Sequence, residues 1–171
     1  MHAENLIEKG ALSYLINDVA LIRKRHEPYK RVGKVQRGMF KAVNTGSSGC
    51  DYEFFLADGR AGILECKSRK GKRINLKDVG EHQSSELQRL YDWEFLAFVI
   101  VYLEGVWYLI HWGAFHHVSK KSLNVEDMKI RAIKLDTDKE GCPLWVERID
   151  EALDQEDFYL STIQKTRDKE Q

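Results

Sequence analysis

The chain predicts an α/β domain in which a mixed β-sheet is flanked by helices. Three observations carry that expectation. Two strand-like runs, Asp51–Ala57 and Arg60–Lys67, flank an Asp58-Gly59 turn, a strong short-range hairpin signal. Phe95–Leu103 is a continuous apolar run suited to a central strand buried on both faces. Segments of helical periodicity come before the hairpin and again between it and that run, so helices and strands alternate.

Each element follows from local pattern. Glu4 to about Asp18 reads as a helix, with Leu6, Ile7, Leu12, Tyr14, Leu15 and Val19 approximating an apolar stripe. Val19–Ile22 opens a strand, Pro28 and Gly33 break the chain, and basic Lys34–Val43 suggests an exposed ribbon. After the hairpin, Ser68–Asn75 reads as a polar, basic loop. Asp78 to about Tyr91 reads as a helix with Val79, Leu87, Leu90 and Tyr91 inward. Val106–Trp112 follows the Glu104-Gly105 turn as the antiparallel neighbour of the central run. Met128–Leu135 alternates as a strand should, with Leu144–Ile149 as its partner, and Asp150–Leu160 reads as an acidic helix. One domain over residues 1–162 is expected, with a basic arm at 30–44 and a flexible tail at 163–171.

Composition narrows the function classes. With 43% hydrophobic and 32% charged residues in 171, the chain can bury a real core, and disorder is not expected. No apolar run approaches the roughly 18–20 residues needed to cross a bilayer. Three cysteines at Cys50, Cys66 and Cys142 lack zinc spacing, and a reducing cytoplasmic location fits them. The formal net charge is +0, yet the charges segregate. Cations crowd Arg23–Lys41 and Lys67–Lys77, while acids collect from Asp136 to Asp157. Such separation permits nucleic-acid binding on one side, or simply two solvated surfaces.

The hairpin holds the chemistry. Glu65 and Lys67 share one strand face and Cys66 takes the other, where a small thiol packs as a compact hydrophobe. A symmetric count from Asp58-Gly59 sets Asp51 opposite Cys66, on the wrong face. A bulge at Gly62, or a shift of one residue, brings Asp51 level with Glu65. Two carboxylates at one point repel unless a cation lies between them, and Mg²⁺ prefers one or two carboxylates plus water and phosphate oxygens. The Cys66 carbonyl is a further candidate ligand, and Lys67 is placed to orient and help deprotonate an attacking water. The plain alternative is an exposed Glu-Lys pair worth ~0–1 kcal/mol.

Asp51…Glu65-Cys66-Lys67 resembles the signature of the PD-(D/E)XK nuclease superfamily, with Cys50 where a proline is usual. Glu4–Leu15 is similar to the first helix of its VRR-type nucleases and junction resolvases, which places Glu4, or Glu8 one turn later, near the metal. Closer still is the RecU type of Holliday-junction resolvase. Val19–Lys24, Phe40-Lys41, Ser47…Asp51-Tyr52, Glu81-His82-Gln83, Phe95–Val101 and Trp107–Leu109 resemble its segments in the same order. The resemblance implies a restriction-endonuclease-like fold and a dimeric, Mg²⁺-dependent DNA endonuclease, with Mn²⁺ as a substitute. It would make paired nicks in four-way junctions. It also implies catalytic roles for Glu4, Asp51, Glu65, Lys67 and Gln83, with Gln83 positioning the water or a phosphate. In that reading Lys30, Arg31, Lys34, Arg37 and Lys41 form a stalk meeting phosphates, and Arg69, Lys70, Lys72 and Arg73 line the scissile strand.

Other readings stay open at this point: a VRR-like or restriction-type nuclease acting on flaps, nicks or duplex, and a non-catalytic DNA-binding module of the same fold. His111, His116 and His117 lack the second ligand cluster that zinc requires. Trp93, Trp107, Trp112 and Trp145 are expected in the core or a dimer interface.

Overall fold

A computed structural model describes residues 3–26, 29–36, 39–44, 49–117 and 121–170, with side chains for 3–26, 49–117 and 121–165. Helix α1 (Ala3–Ile16) buries Ile7, Gly10 and Tyr14, one narrow face at helical spacing. Tyr14 is fastened at its hydroxyl, which donates to Glu147 Oε2 at 2.7 Å. Leu12, Leu15 and Val19, read from the sequence as part of the inward stripe, are instead exposed at 59%, 49% and 38%. Strand β1 (Ala20–Lys24) follows. Next, β2 (Tyr29–Gln36) and β3 (Met39–Asn44) pair antiparallel in a two-stranded sheet of their own.

The hairpin comprises β4 (Tyr52–Leu56) and β5 (Ala61–Arg69), paired from Tyr52↔Leu64 to Phe55↔Ala61. Leu56 N–H donates to the Arg60 carbonyl at 2.8 Å, so the loop is Ala57-Asp58-Gly59 and not the dipeptide alone. Gly59 takes φ +93°, the left-handed residue that such a three-residue loop needs. The register therefore slips by one from the symmetric count. Gly62 is no bulge; it pairs with Phe54, and a Cβ there would lie 2.1 Å from the Leu96 carbonyl. Only glycine lets the neighbouring strand approach so closely.

Strand β5 itself takes in Ser68 and Arg69 of the expected loop, and β6 (Arg73–Asn75) interrupts the rest. A 3-10 turn (Leu76–Asp78) leads into α2 (Glu81–Asp92). Strand β7 (Leu96–Leu103) runs parallel to β5, and β8 (Val106–His111) returns antiparallel. Then come α3 (Trp112–His116), β9 (Ser122–Asn124) paired with β6, α4 (Val125–Arg131) and β10 (Ile133–Leu135). The expected strand at Met128–Leu135 is thus divided: Met128–Arg131 closes α4, and strand is confined to Ile133–Leu135. Asn124 caps the helix, its side chain accepting from Asp127 N–H while Asp127 returns the bond to Asn124 N–H. Leu144–Ile149 does not pair with that strand either: Val146–Arg148 is a 3-10 turn leading into α5 (Ile149–Glu170). Helix α5 runs on through residues 163–170, a stretch whose composition suggested a tail.

The main sheet has six strands in the order β1-β4-β5-β7-β8-β10, all antiparallel except the β5–β7 pair. Central β7 alternates between two cores. Ala97, Val99, Val101 and Leu103 pack toward Leu87, Trp112, Phe115 and Tyr159, while Phe98 and Ile100 pack toward Ile7, Tyr14, Trp145 and Ala152. Each large apolar side chain so enclosed contributes about 1.5–3 kcal/mol. Trp107, Trp112 and Trp145 are buried, whereas Trp93 is 63% exposed. Among the described residues, no helix is long and apolar enough to cross a membrane.

Candidate active site

The register decides which side chains meet. Continuing the β4–β5 pairing one step past Tyr52↔Leu64 sets Asp51 level with Glu65. Hydrogen bonds tie the two positions: Asp51 N–H donates to Glu65 Oε2 at 3.2 Å, and Cys66 N–H to Asp51 Oδ2 at 2.9 Å. The point lies where the β4 ladder ends while β5 continues beside β7, so one edge of β5 opens there. Lys67 Nζ is 2.5 Å from Glu65 Oε1 and donates to Gln83 Oε1 at 3.2 Å. Gln83 is fixed in turn by the Gly80 N–H, which donates to the same oxygen at 3.0 Å. With Oε1 so engaged, Gln83 offers a phosphate or water the donor end of its amide.

Electrostatics at this point favour a bound cation. Glu65 is 0% exposed, and Oε1 has no aligned hydrogen-bond donor despite its ion pair. Burial, and then the Asp51 charge, push its carboxyl up to about 8, with Lys67 pulling the other way. Asp51 is also raised, chiefly by burial, with the Cys66 N–H and Lys67 opposing and Glu4 adding to the rise. Two crowded acids whose charged forms are disfavoured by burial are what a divalent ion would relieve. Among the described residues, no three His, Cys, Asp or Glu side chains form a ready-made cage. Two hard carboxylates with water and phosphate oxygens to complete the shell fit Mg²⁺ better than a softer metal.

Glu4 on α1 lies close enough for its charge to act on Asp51. Lys24 Nζ bridges Glu4 Oε2 at 2.8 Å and Glu8 Oε1 at 2.6 Å, and those two bonds raise its pKa. The Cys66 side chain is buried on the opposite face, where burial pushes its thiol up and makes it a packing group. Arg69, past the site on β5, pairs with Asp78 at 2.7 Å, and Lys70, Lys72 and Arg73 are exposed beyond it. Arg37 and Ser47 lie outside the described residues, and for Lys30, Arg31, Lys34 and Lys41 the backbone alone is described.

Two groups escaped sequence reasoning. Arg25 and Glu86 are joined at 2.6 Å beside the loop into Asp51. Glu86 was detectable as i+3 from Gln83, on one helical face. The other is a buried contact between His111 Nδ1 and Glu156 Oε2, which fastens α5 to β8. His111 thereby ties β8 to the helix packed beside it.

A family model described as RecU, recombination protein U, matches residues 1–150. The Holliday junction resolvase RecU of Mycoplasmopsis pulmonis (strain UAB CTIP) is 26% identical over 138 residues, 80% of this chain and 83% of its own. Among solved structures, Hjc, a Holliday junction resolvase from Archaeoglobus fulgidus, matches with TM-score 0.46 and 13% identity, over 76% of this chain and 94% of that one.

Proposed function

This chain belongs to the recombination protein U family, and from that membership we propose that it is a structure-specific endonuclease nicking four-way DNA junctions. One observation carries the catalytic reading: Asp51 and Glu65 meet at one level of two adjacent strands, with the Lys67 ammonium 2.5 Å from Glu65. An ordinary surface Glu-Lys pair would be solvated and would lack the second acid, whereas Glu65 is buried beside Asp51.

Asp51 and Glu65 would hold the divalent ion, Mg²⁺ by preference with Mn²⁺ as a substitute. Bound there, it supplies charge stabilisation at the phosphate oxygens and a more acidic water. Lys67, steadied between Glu65 and Gln83, orients the attacking water and assists removal of its proton. The water gives its proton to solvent and its oxygen bonds to phosphorus as the opposite P–O bond breaks, the departing sugar oxygen taking a proton from solvent. Gln83 directs its amide donors at the phosphate, and Glu4 adds negative charge at the rim. Lys70, Lys72 and Arg73 neutralise neighbouring phosphates, so binding weakens steeply with salt. The basic residues of β2 and β3 extend that path into the branched centre of the DNA.

The enzyme acts as a homodimer, which gives two sites for paired nicks. Support comes from α1 and its surroundings, where Leu12, Leu15, Ile16, Val19 and Phe55 expose apolar side chains. The test is a panel of four-way junction, flap and linear duplex, with and without Mg²⁺. Symmetric paired nicks confined to the junction are expected. Metal-dependent cutting of flap or duplex instead moves the protein to another nuclease class, and no product from any substrate removes the enzyme reading.

A further inference from the structure

Helix α2 reaches the catalytic strands at two points one turn apart. Gln83 meets Lys67, and Glu86 meets the chain that leads into Asp51. Glu86 Oε1 is 2.6 Å from Arg25 Nη1, and Glu86 Oε2 accepts a 2.8 Å hydrogen bond from the Cys50 N–H. Arg25 follows β1 and Cys50 precedes β4, so one carboxylate grips both stems that bracket residues 27–48. The stems are also tied to each other, since Arg25 N–H donates to the Asp51 carbonyl at 2.8 Å. Gly49 makes room for this: at φ +74°, a Cβ would lie 2.0 Å from Glu86 Oε2.

The grip matters because Asp51 stands outside the ladder. The first β4–β5 pair is Tyr52↔Leu64, and Asp51 and Glu65 repel when both are charged. Past the β4–β5 ladder the Asp51 carbonyl is held by the Arg25 N–H, so the place of Asp51 depends on where Arg25 lies. We infer that Glu86 is a positioning residue, whose clamp on Arg25 and the Cys50 N–H holds Asp51 against Glu65 and so preserves the cation site. Glu86 touches neither carboxylate; it acts through the backbone. The inference rests on the proposed metal-nuclease reading, and its test separates the two.

The full chain is compared as wild type, Glu86→Gln and Glu86→Ala by Mn²⁺ titration calorimetry, amide hydrogen exchange at Cys50, thermal unfolding and junction nicking. Glutamine keeps an acceptor for the Cys50 N–H but loses the charge facing Arg25. Expected for Glu86→Ala are Mn²⁺ affinity weakened about tenfold or more, a matching fall in kcat, and faster exchange at Cys50. Junction affinity without the ion stays within about twofold, because the clamp faces the acids and not the phosphate path. Glu86→Gln falls between the two, which a general loss of fold would not produce. Unchanged Mn²⁺ affinity in Glu86→Ala overturns the inference. So does a loss that tracks the unfolding temperature, with no rescue by glutamine. Wild type that binds Mn²⁺ but cuts no junction overturns the activity and leaves the clamp standing. Wild type that binds no Mn²⁺ overturns both.

Discussion

Among the described residues two glutamates are buried, and they face different company. Glu65 on β5 is 0% exposed and meets another acid, Asp51, at the open edge of the hairpin. Glu156 on α5 is 5% exposed and meets donors: His111 Nδ1 on Oε2, and the Tyr91 hydroxyl nearby. Around Glu156 the fold is closed, and a Cβ on Gly113 would collide with Glu156 Oε1. Around Glu65 it is incomplete, since Lys67 is one cation against two acids and is itself 19% exposed. The contrast teaches that burial alone does not mark a catalytic carboxylate. A second acid at an unfinished strand edge is what makes Glu65 a candidate.

The sharpest way to break this contrast is to neutralise each glutamate in turn. Asp51→Asn or Glu65→Gln is expected to reduce junction nicking by a factor of ~10³ or more while leaving junction binding intact. Nicking near the wild-type rate in either variant removes the site assignment. The same Glu65→Gln change should stabilise the ion-free protein at alkaline pH. Folding raises Glu65 from 4.5 to about 8, so the folded chain keeps a proton that the unfolded chain has released. Stability from this group is therefore lost as pH rises from 4.5 to 8 and is level above that. Glutamine has no such loss: unfolding temperatures should match near pH 5 and exceed wild type by about 8–16 °C at pH 8.5. An advantage that is equal at both pH values would deny that Glu65 is the strained group.

Glu156→Ala should act in the reverse sense. It leaves the His111 N–H unpaired and opens a gap beneath α5, costing about 2–4 kcal/mol of stability. Nicking per folded molecule should be unchanged, as measured below the lowered unfolding temperature. A catalytic defect without destabilisation would make the two glutamates alike.

How much of this was legible before coordinates depended on range. The hairpin, the central run and the face shared by Glu65 and Lys67 are local periodicities, and they stand in the structure. The level of Asp51 turned on one residue of loop length. Asp-Gly signals a turn but does not say whether Ala57 belongs to it; the Leu56–Arg60 bond does. Gly62 invited a bulge because the parallel neighbour that crowds it is distant in sequence. Met128–Leu135 misled for another reason. Its alternation was accidental, since Ile130 is 56% exposed, while the Asn124–Asp127 capping pair was visible and outweighed it. Long-range pairs such as Arg25–Glu86 and His111–Glu156 leave no periodic trace, and only tertiary packing brings them together.

The smallest expected effect concerns the rim. Lys24 holds Glu4 and Glu8 with one ammonium, and the Glu4 charge acts on Asp51. Lys24→Ala removes a cation that competes with the divalent ion for this negative field. Because these groups are largely solvated, the gain is limited: the Mg²⁺ concentration for half-maximal nicking should fall about two- to fivefold and converge with wild type at high salt. Adding Glu4→Gln to Lys24→Ala should cancel the gain, whereas adding Glu8→Gln should leave most of it. If Lys24→Ala instead raises the Mg²⁺ requirement, Lys24 serves to hold Glu4 in place as part of the site, and the rim carboxylate joins Asp51 and Glu65 on the open side of the comparison.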